Sequence, residues 1–440
     1  MPNIFIHDEF DPEAMAMMQA LYSRSSESVK NHIEKVREKG TAKFMESYYV
    51  GYGHASIGDC GSTTLFIEEL SILAAKAIQD NPLYSGQESS TRYIDFSKQP
   101  LIDPVGTAQS QKIQRDWLDF YLASVPLLVS ALKEQFPQPP DAKERVWESA
   151  IKARAFDILR GFLPAGITTQ LAWSTNFRQA HDRIKLLRHH PLAEVRDIAE
   201  QCLVQLKEKY PSSFGHKFYP DQEEYLRKTA METNYIVHRK ADGPCDRFTY
   251  KTTIDNKALE AGALEAIKSR PQKTALPRNL GKYGRYVCTF PLDYGSFRDL
   301  QRHRNGLCPI PLLNEALGFH DWYLDMLPPA LRAEAENLIT RQMKDVAALA
   351  ATGVSETDLQ YYFPLGMKVK CELDYDLPQM VYVTELRSGT TVHATLREIT
   401  HDMHAAMAHE HPNLKLYTSL EPDQWDIRRG EHDIVERKAL

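Results

Sequence analysis

The 440-residue sequence has no excess of positive charge, no paired cysteines and no long apolar run. Lys and Arg number 53 against 59 Asp and Glu, a formal charge of −6, so there is no bulk basic field to hold a nucleic-acid backbone. A small anionic ligand remains compatible with that balance, because it needs only a local arginine cluster. The six cysteines (Cys60, Cys202, Cys245, Cys288, Cys308, Cys371) contain no CxxC pair. Their scatter supports neither a zinc site nor a disulfide framework and predicts reduced thiols in the cytoplasm. The longest near-apolar stretch, Phe120 to Leu132, is far shorter than the ~20 residues of a membrane span. The opening MPNIFIHDEFDPE lacks the basic-then-apolar order of a signal peptide. What is present is ordinary for a folded protein: 42% hydrophobic and 25% charged residues, over a length that suggests two or three domains at ~150 residues each.

The chain repeats itself. Phe162-Leu163-Pro164-Ala165-Gly166 parallels Phe363-Pro364-Leu365-Gly366, with the prolines 200 positions apart. Leu187-Arg188 parallels Leu386-Arg387, and Val195-Arg196-Asp197-Ile198 parallels Leu396-Arg397-Glu398-Ile399. Both segments finish in a proline, Pro211 and Pro412, and Asp116-Trp117 has a counterpart in Asp321-Trp322. The ordered set predicts two diverged tandem copies, residues 1–221 and 222–440, joined in the polar stretch YPDQEEYLRK.

Apolar spacing predicts mostly helix. Val29, Ile33 and Val36 recur before Gly40, a C-cap; Ile113, Trp117, Phe120, Ser124 and Leu127 mark one face of a long helix, with Pro126 as a kink. Trp147, Ala150, Ile151, Arg154 and Ile158 mark another face, and Val195, Ile198, Cys202 and Leu206 a third. Ser62–Ile67 and Arg285–Phe290 are β-rich. The expected class is α+β: two copies of a small sheet covered by long helices, without strict strand–helix alternation.

Five constellations carry chemistry. Ser85 to Tyr93 (SGQESSTRY) has no apolar period and is expected to be a loop: either a solvated turn, or hydroxyls, a carboxylate and a guanidinium that satisfy a nucleotide. Gln301-Arg302-His303-Arg304 could neutralise a pyrophosphate or be an exposed basic helix end favoured by the dipole. Asn176-Phe177-Arg178 stands with Arg160 and Arg188, and an arginine beside a core-facing stripe needs an anionic partner. Gly51 to Gly58 has the wrong glycine spacing for a dinucleotide fingerprint. His401, His404, His409 and His411 lack an HExxH and a third ligand, so no metal is expected.

With these segments aligned, the chain resembles the flavin-dependent thymidylate synthase (ThyX) family, whose signature is RHRxxSxNExSxR. Ser85, Gln87, Glu88, Ser90 and Arg92 fall on its second half, with Gln87 in place of asparagine. Gly53-His54-Ala55-Ser56 is similar to the family's upstream Gly-His segment. Copy one has Asp80-Asn81-Pro82 where RHR belongs, whereas copy two keeps Arg302-His303-Arg304 but has Leu307 at the first serine. The losses are complementary. The resemblance implies reductive methylation of dUMP to dTMP with FAD, with NADPH and methylenetetrahydrofolate as co-substrates, in a composite site between the copies. It assigns His54, Ser56, Asn176, Arg178, Arg302, His303 and Arg304 to FAD, and Glu88, Ser90, Arg92, Arg160 and Arg188, or its counterpart Arg387, to dUMP. Arg302, Ser90 and Arg160 would carry catalysis, with no cysteine nucleophile. Such enzymes are homotetramers, so a homodimer of this chain would form a pseudo-tetramer. The alternatives are a diverged flavin or nucleotide protein acting on another pyrimidine, or a non-catalytic one.

Overall fold

The structure is a computed structural model that describes residues 11–22, 33–34, 36–37, 40–51, 55–89, 91, 96–422 and 425. In chain order its principal elements are α1 (Pro12–Tyr22), β1 (Ser62–Ser71), α2 (Ile72–Gln79), β2 (Ser85–Glu88), α3 (Ala108–Gln135), α4 (Glu144–Leu159), β3 (Thr168–Asn176), α5 (Phe177–Leu187), α6 (Ala193–Lys209) and α7 (Pro220–Asn234). There follow β4 (Thr249–Thr252), α8 (Asn256–Lys268), β5 (Arg285–Asp293), α9 (Tyr294–Leu300), α10 (Pro329–Ala350), β6 (Lys368–Asp376), α11 (Leu377–Arg387) and α12 (Ala394–Glu410). The class is α+β.

Two compact units result: Met1–Leu70 with Ala74–Ser89 and Thr169–Asn234, and Ser71–Leu73 with Ser90–Thr168 and Tyr235–Leu440. This partition differs from a cut at residue 222. Residues 90–168 join the second unit because the buried face of α3 lies against its 361–362 segment. There Trp117 Nε1 donates to the Tyr362 carbonyl at 3.0 Å, and Gln114 Nε2 to that of Tyr361 at 3.1 Å.

In the first unit the sheet order is β1-β3-β2, with β2 antiparallel to β3 from Ser85 opposite Ser174 to Glu88 opposite Leu171. The expected loop therefore begins as a strand. It shows no apolar period because β2 is an edge strand with alternating exposed and half-buried positions. Val195, Cys202 and Leu206 are buried along α6 as expected, while Ile198 is half-buried, and Gly40 has a φ of +66° that suits glycine; Val29 lies outside the described residues.

In the second unit β4, β5 and β6 pair antiparallel in that order, and β5 meets β6 over nine residues from Arg285–Asp376 to Asp293–Lys368. Along α3, Ile113, Trp117 and Ser124 are buried, but Leu127 is exposed and Leu128 takes its place. A 3.6-residue helix drifts off the strict spacing after Trp117, so the buried stripe continues through Tyr121, Ser124 and Leu128. Pro126 sits inside this helix on its exposed side.

The two proline turns pair with each other in this unit, and their bonds are reciprocal. Ala165 N donates to Phe363 O and Leu365 N to Leu163 O, both at 2.9 Å; Gly166 N donates to Tyr361 O and Gly366 N to Gly161 O. That is the pattern of a self-complementary contact between equivalent segments. Element bounds repeat at the same spacing: 160–162 and 360–362, 168–176 and 368–376, 177–187 and 377–387.

Candidate functional site

The turn after α9 collects the arginines of the second unit. β5 ends at Asp293, whose carboxylate caps α9 by accepting from Ser296 N at 2.9 Å. The short helix brings Arg298 and Asp299 to the corner, then stops, and His303 N turns back onto Leu300 O at 3.0 Å. Arg387, the last residue of α11, reaches across: its Nε donates to His303 Nε2 at 2.7 Å and an Nη to the Asp299 carbonyl at 2.8 Å. Arg302 lies 3.4 Å from the Asp299 carboxylate. Arg160 comes from the turn after α4, and its Nη2 donates to Ser296 Oγ at 3.0 Å.

One carboxylate thus faces four guanidiniums. Burial alone would raise Asp299, but Arg302, Arg160, Arg387 and Arg298 outweigh it and hold the group below the usual carboxylate range. Burial, then the charge of Arg387, pushes His303 down to about 3, so the ring is neutral. Because Arg387 can only donate, His303 Nε2 accepts and the ring proton sits on Nδ1. Burial works against the charge on Arg160, yet Tyr323 and the carboxylates of Asp299, Asp157 and Asp293 prevail and raise its pKa. Arg160 Nε is buried with no hydrogen-bond partner among the described residues, and the Arg302 side chain is 45% exposed. Arg304 lies beside them, donating to the Arg302 carbonyl at 3.2 Å.

Arg387 also lines a cleft of about 720 Å³ with Arg270, Lys273, Tyr382, Thr391 and Tyr417. At its edge Arg270 is ion-paired with Glu385, and Arg270 Nε has no partner among the described residues. The donor set suits phosphate or diphosphate oxygens, which guanidiniums bind bidentately, so a nucleotide or the diphosphate of FAD fits it.

The other expected site residues lie elsewhere. Ser56 is exposed in the short helix Ala55–Gly58. Asn176 caps α5 by accepting from Gln179 N at 2.8 Å, and Arg178 pairs with Asp59 at 2.7 Å. Glu88 is sealed in an ion pair with Lys76 at 3.0 Å and accepts from Gln79 at 3.0 Å. Arg188 holds Glu200 and Glu223 and covers the Phe218 ring. Since α5 and α11 share bounds 200 apart, Arg387 stands in the register of Leu187, one residue away from Arg188. His54, Ser90 and Arg92 lie outside the described residues. His401 and His404 bond to Ser419 and Thr418, and among the described residues no group of His, Cys, Asp or Glu could hold a metal. No described helix is long and apolar enough to cross a membrane. Sequence reasoning missed Asp299, Arg298 and Arg270; the first two carried a signal, a lone acid among arginines in SFRDLQRHR, whereas Arg270 carried none.

Fold and cluster together define an α+β protein with several guanidiniums gathered at one corner. Residues 6–212, a little under half of the chain, match the family model "thymidylate synthase complementing protein". Across nearly its whole length the chain is similar to a UPF0159 protein of Chlamydia muridarum, 25% identical over 86% of this chain and 80% of the relative. It is also similar to a UPF0159 protein of Thermoplasma acidophilum, 23% identical over 90% and 93%. A flavin-dependent thymidylate synthase of Corynebacterium efficiens is 25% identical over 37% of this chain and 64% of its own.

Proposed function

We propose that this chain is a flavin-dependent thymidylate synthase built from two diverged copies, making dTMP from dUMP with methylenetetrahydrofolate and NADPH. The observation that carries the reading is the cluster of Arg160, Arg302 and Arg387 around Asp299, which joins groups from both sequence halves within one compact unit. Bound FAD would supply the hydride chemistry. Arg302, with His303 and Arg304, would hold FAD, while Ser56, His54, Asn176 and Arg178 are the first half's candidates for it. Arg160 and Arg387, with Ser90 and Arg92, would bind dUMP; guanidiniums fit its phosphate, each charge-assisted bond being worth roughly 1.5–3 kcal/mol. A guanidinium aimed at a uracil carbonyl would stabilise charge developing on the ring. Two chains would complete a pseudo-tetramer.

The sealed Lys76–Glu88 pair favours a second reading in which the base differs from uracil, because Glu88 is already engaged. Purified protein should show a flavin absorption band that dUMP perturbs, and should form dTMP. Colourless protein that takes up no FAD overturns the reading; flavin-bound protein that responds to another pyrimidine nucleotide and not to dUMP selects the second.

A further inference from the structure

Behind Arg160 lies a fully buried chain of hydroxyls that ends on a carboxylate. Tyr323 OH donates to Asp293 Oδ1 at 2.6 Å, and Thr395 Oγ1 donates to Asp293 Oδ2 at 2.6 Å. Thr395 Oγ1 is 2.8 Å from Ser296 Oγ, which accepts from Arg160 Nη2 at 3.0 Å. His393, the N-cap residue of α12, brackets the pair: Nδ1 is 2.8 Å from Thr395 Oγ1 and 3.3 Å from Ser296 Oγ, and Nε2 faces the Asp157 carbonyl at 3.3 Å.

Proton counting orders this chain. A carboxylate only accepts, so the single hydroxyl proton of Thr395 goes to Asp293. The Thr395 oxygen is then an acceptor, and the Ser296 hydroxyl donates to it. Ser296 thereby turns its lone pairs to Arg160, whose guanidinium is fixed from behind. Packing demands the same arrangement: a Cβ at Gly161 would lie 2.7 Å from the Tyr323 ring, so only glycine beside Arg160 lets the tyrosine in. The corresponding ends of β1, α2 and α6 carry Ser71, Ala74 and Leu192 where β5, α9 and α12 carry Asp293, Ser296 and His393, and position 360 is glutamine where 160 is arginine. The segment without the network thus has glutamine at the position of the arginine.

We propose that Thr395 and Asp293 are positioning residues that hold the Arg160 guanidinium in its ligand-binding orientation. The identity of the ligand rests on the reading above; the orientation does not. The test uses the full chain with Thr395→Val, which keeps shape and removes the hydroxyl, and Thr395→Ser, which restores it. Titrated with dUMP, Thr395→Val should bind about tenfold more weakly, one hydrogen bond's worth, with Thr395→Ser within about twofold of the parent. FAD affinity should stay within about twofold for both. Equal dUMP affinity in Thr395→Val and the parent overturns the proposal. If the parent itself binds no dUMP, the functional reading fails and the proposal is decided by NMR on the Arg160 Nε–H, assigned by its loss in Arg160→Lys. Its exchange with solvent should quicken about tenfold in Thr395→Val and not in Thr395→Ser; unchanged exchange overturns the proposal. Should Thr395→Val not fold, Tyr323→Phe, which removes one donor to Asp293, replaces it with the same expected direction and the same overturning result.

Discussion

The β1–α2 corner of the first unit and the β5–α9 corner of the second are built alike and charged differently. Each runs from a strand into a short helix and out to a segment that pairs with residue 174 or 374: Ser85 with Ser174, Leu307 with Asp374. In the first corner the cation is Lys76, fully buried; Glu88 neutralises it and Gln79 accepts a hydrogen bond from it. In the second, Arg298, Arg302 and Arg387, with Arg160, act together on the carboxylate of Asp299, and Arg160 also feels Asp293 and Asp157. A buried, matched ion pair is a structural solution that leaves nothing for a ligand, whereas several guanidiniums at a partly exposed corner have the chemistry of an anion site. If the second corner binds the anion proposed for it, replacements at the two corners should behave oppositely.

The largest effect is expected at Lys76. Lys76→Met strands the Glu88 carboxylate in the interior and should cost about 3–5 kcal/mol of unfolding free energy by urea titration. Lys76→Met with Glu88→Leu should recover most of that loss, since replacing both partners leaves no uncompensated charge. If the single variant is as stable as the parent, the pair is not the structural device described. Arg387→Ala comes next and inverts the pattern. It should lower nucleotide or FAD affinity about 10–100-fold, the worth of one or two charge-assisted bonds, with little change in stability because its removal relieves crowding among cations. A large stability loss with unaltered binding would make the two corners equivalent.

How much of this was legible in the sequence depends on which groups repeat. The proline turns 200 residues apart, the helices that follow them and the split between Asp80-Asn81-Pro82 and Arg302-His303-Arg304 all showed, because each is a local pattern in the sequence. The Lys76–Glu88 pair was hidden: a lysine inside ILAAKAIQ looks like an ordinary helix cation until the β2 edge brings Glu88 onto it. Asp293, Tyr323 and Thr395 were equally silent, since a hydroxyl 102 residues from its carboxylate leaves no periodic trace. The compact units were silent for the same reason: what holds residues 90–168 in the second unit is Trp117 bonding to Tyr362, a pairing 245 residues apart.

A smaller effect sharpens the second corner through pH. His303 is held neutral down to about 3, against about 6.5 in an unfolded chain. As pH falls below about 6.5 the unfolded state takes up a proton that the folded state refuses, so stability drops by up to about 1.4 kcal/mol per pH unit until the folded pKa is reached. His303→Gln, whose amide oxygen can still accept from Arg387, should reduce that acid slope by one proton's worth and leave stability above pH 7 nearly unchanged. The first unit keeps its own buried histidine, His190, pushed to about 3 by burial and then by Arg183 and Arg196, so part of the slope must survive. An unchanged slope in His303→Gln would mean that the ring titrates normally.

The smallest effect falls where the units coincide. Asn176 caps α5 by accepting from Gln179 N at 2.8 Å, and Asp376 caps α11 by accepting from Gln379 N at 2.9 Å. Either side chain replaced by alanine should cost about 1 kcal/mol, with Asp376→Ala a few tenths worse because a carboxylate also favours the positive end of the helix. Thermal unfolding without ligand measures this. The family resemblance gives Asn176 a second task, contact with FAD, that Asp376 does not share. If that task is real, Asn176→Ala must weaken FAD binding beyond what Asp376→Ala does at matched stability loss. If both variants lose the same small increment and bind FAD alike, Asn176 is a helix cap and nothing more, and flavin binding must be sought at the arginine corner alone.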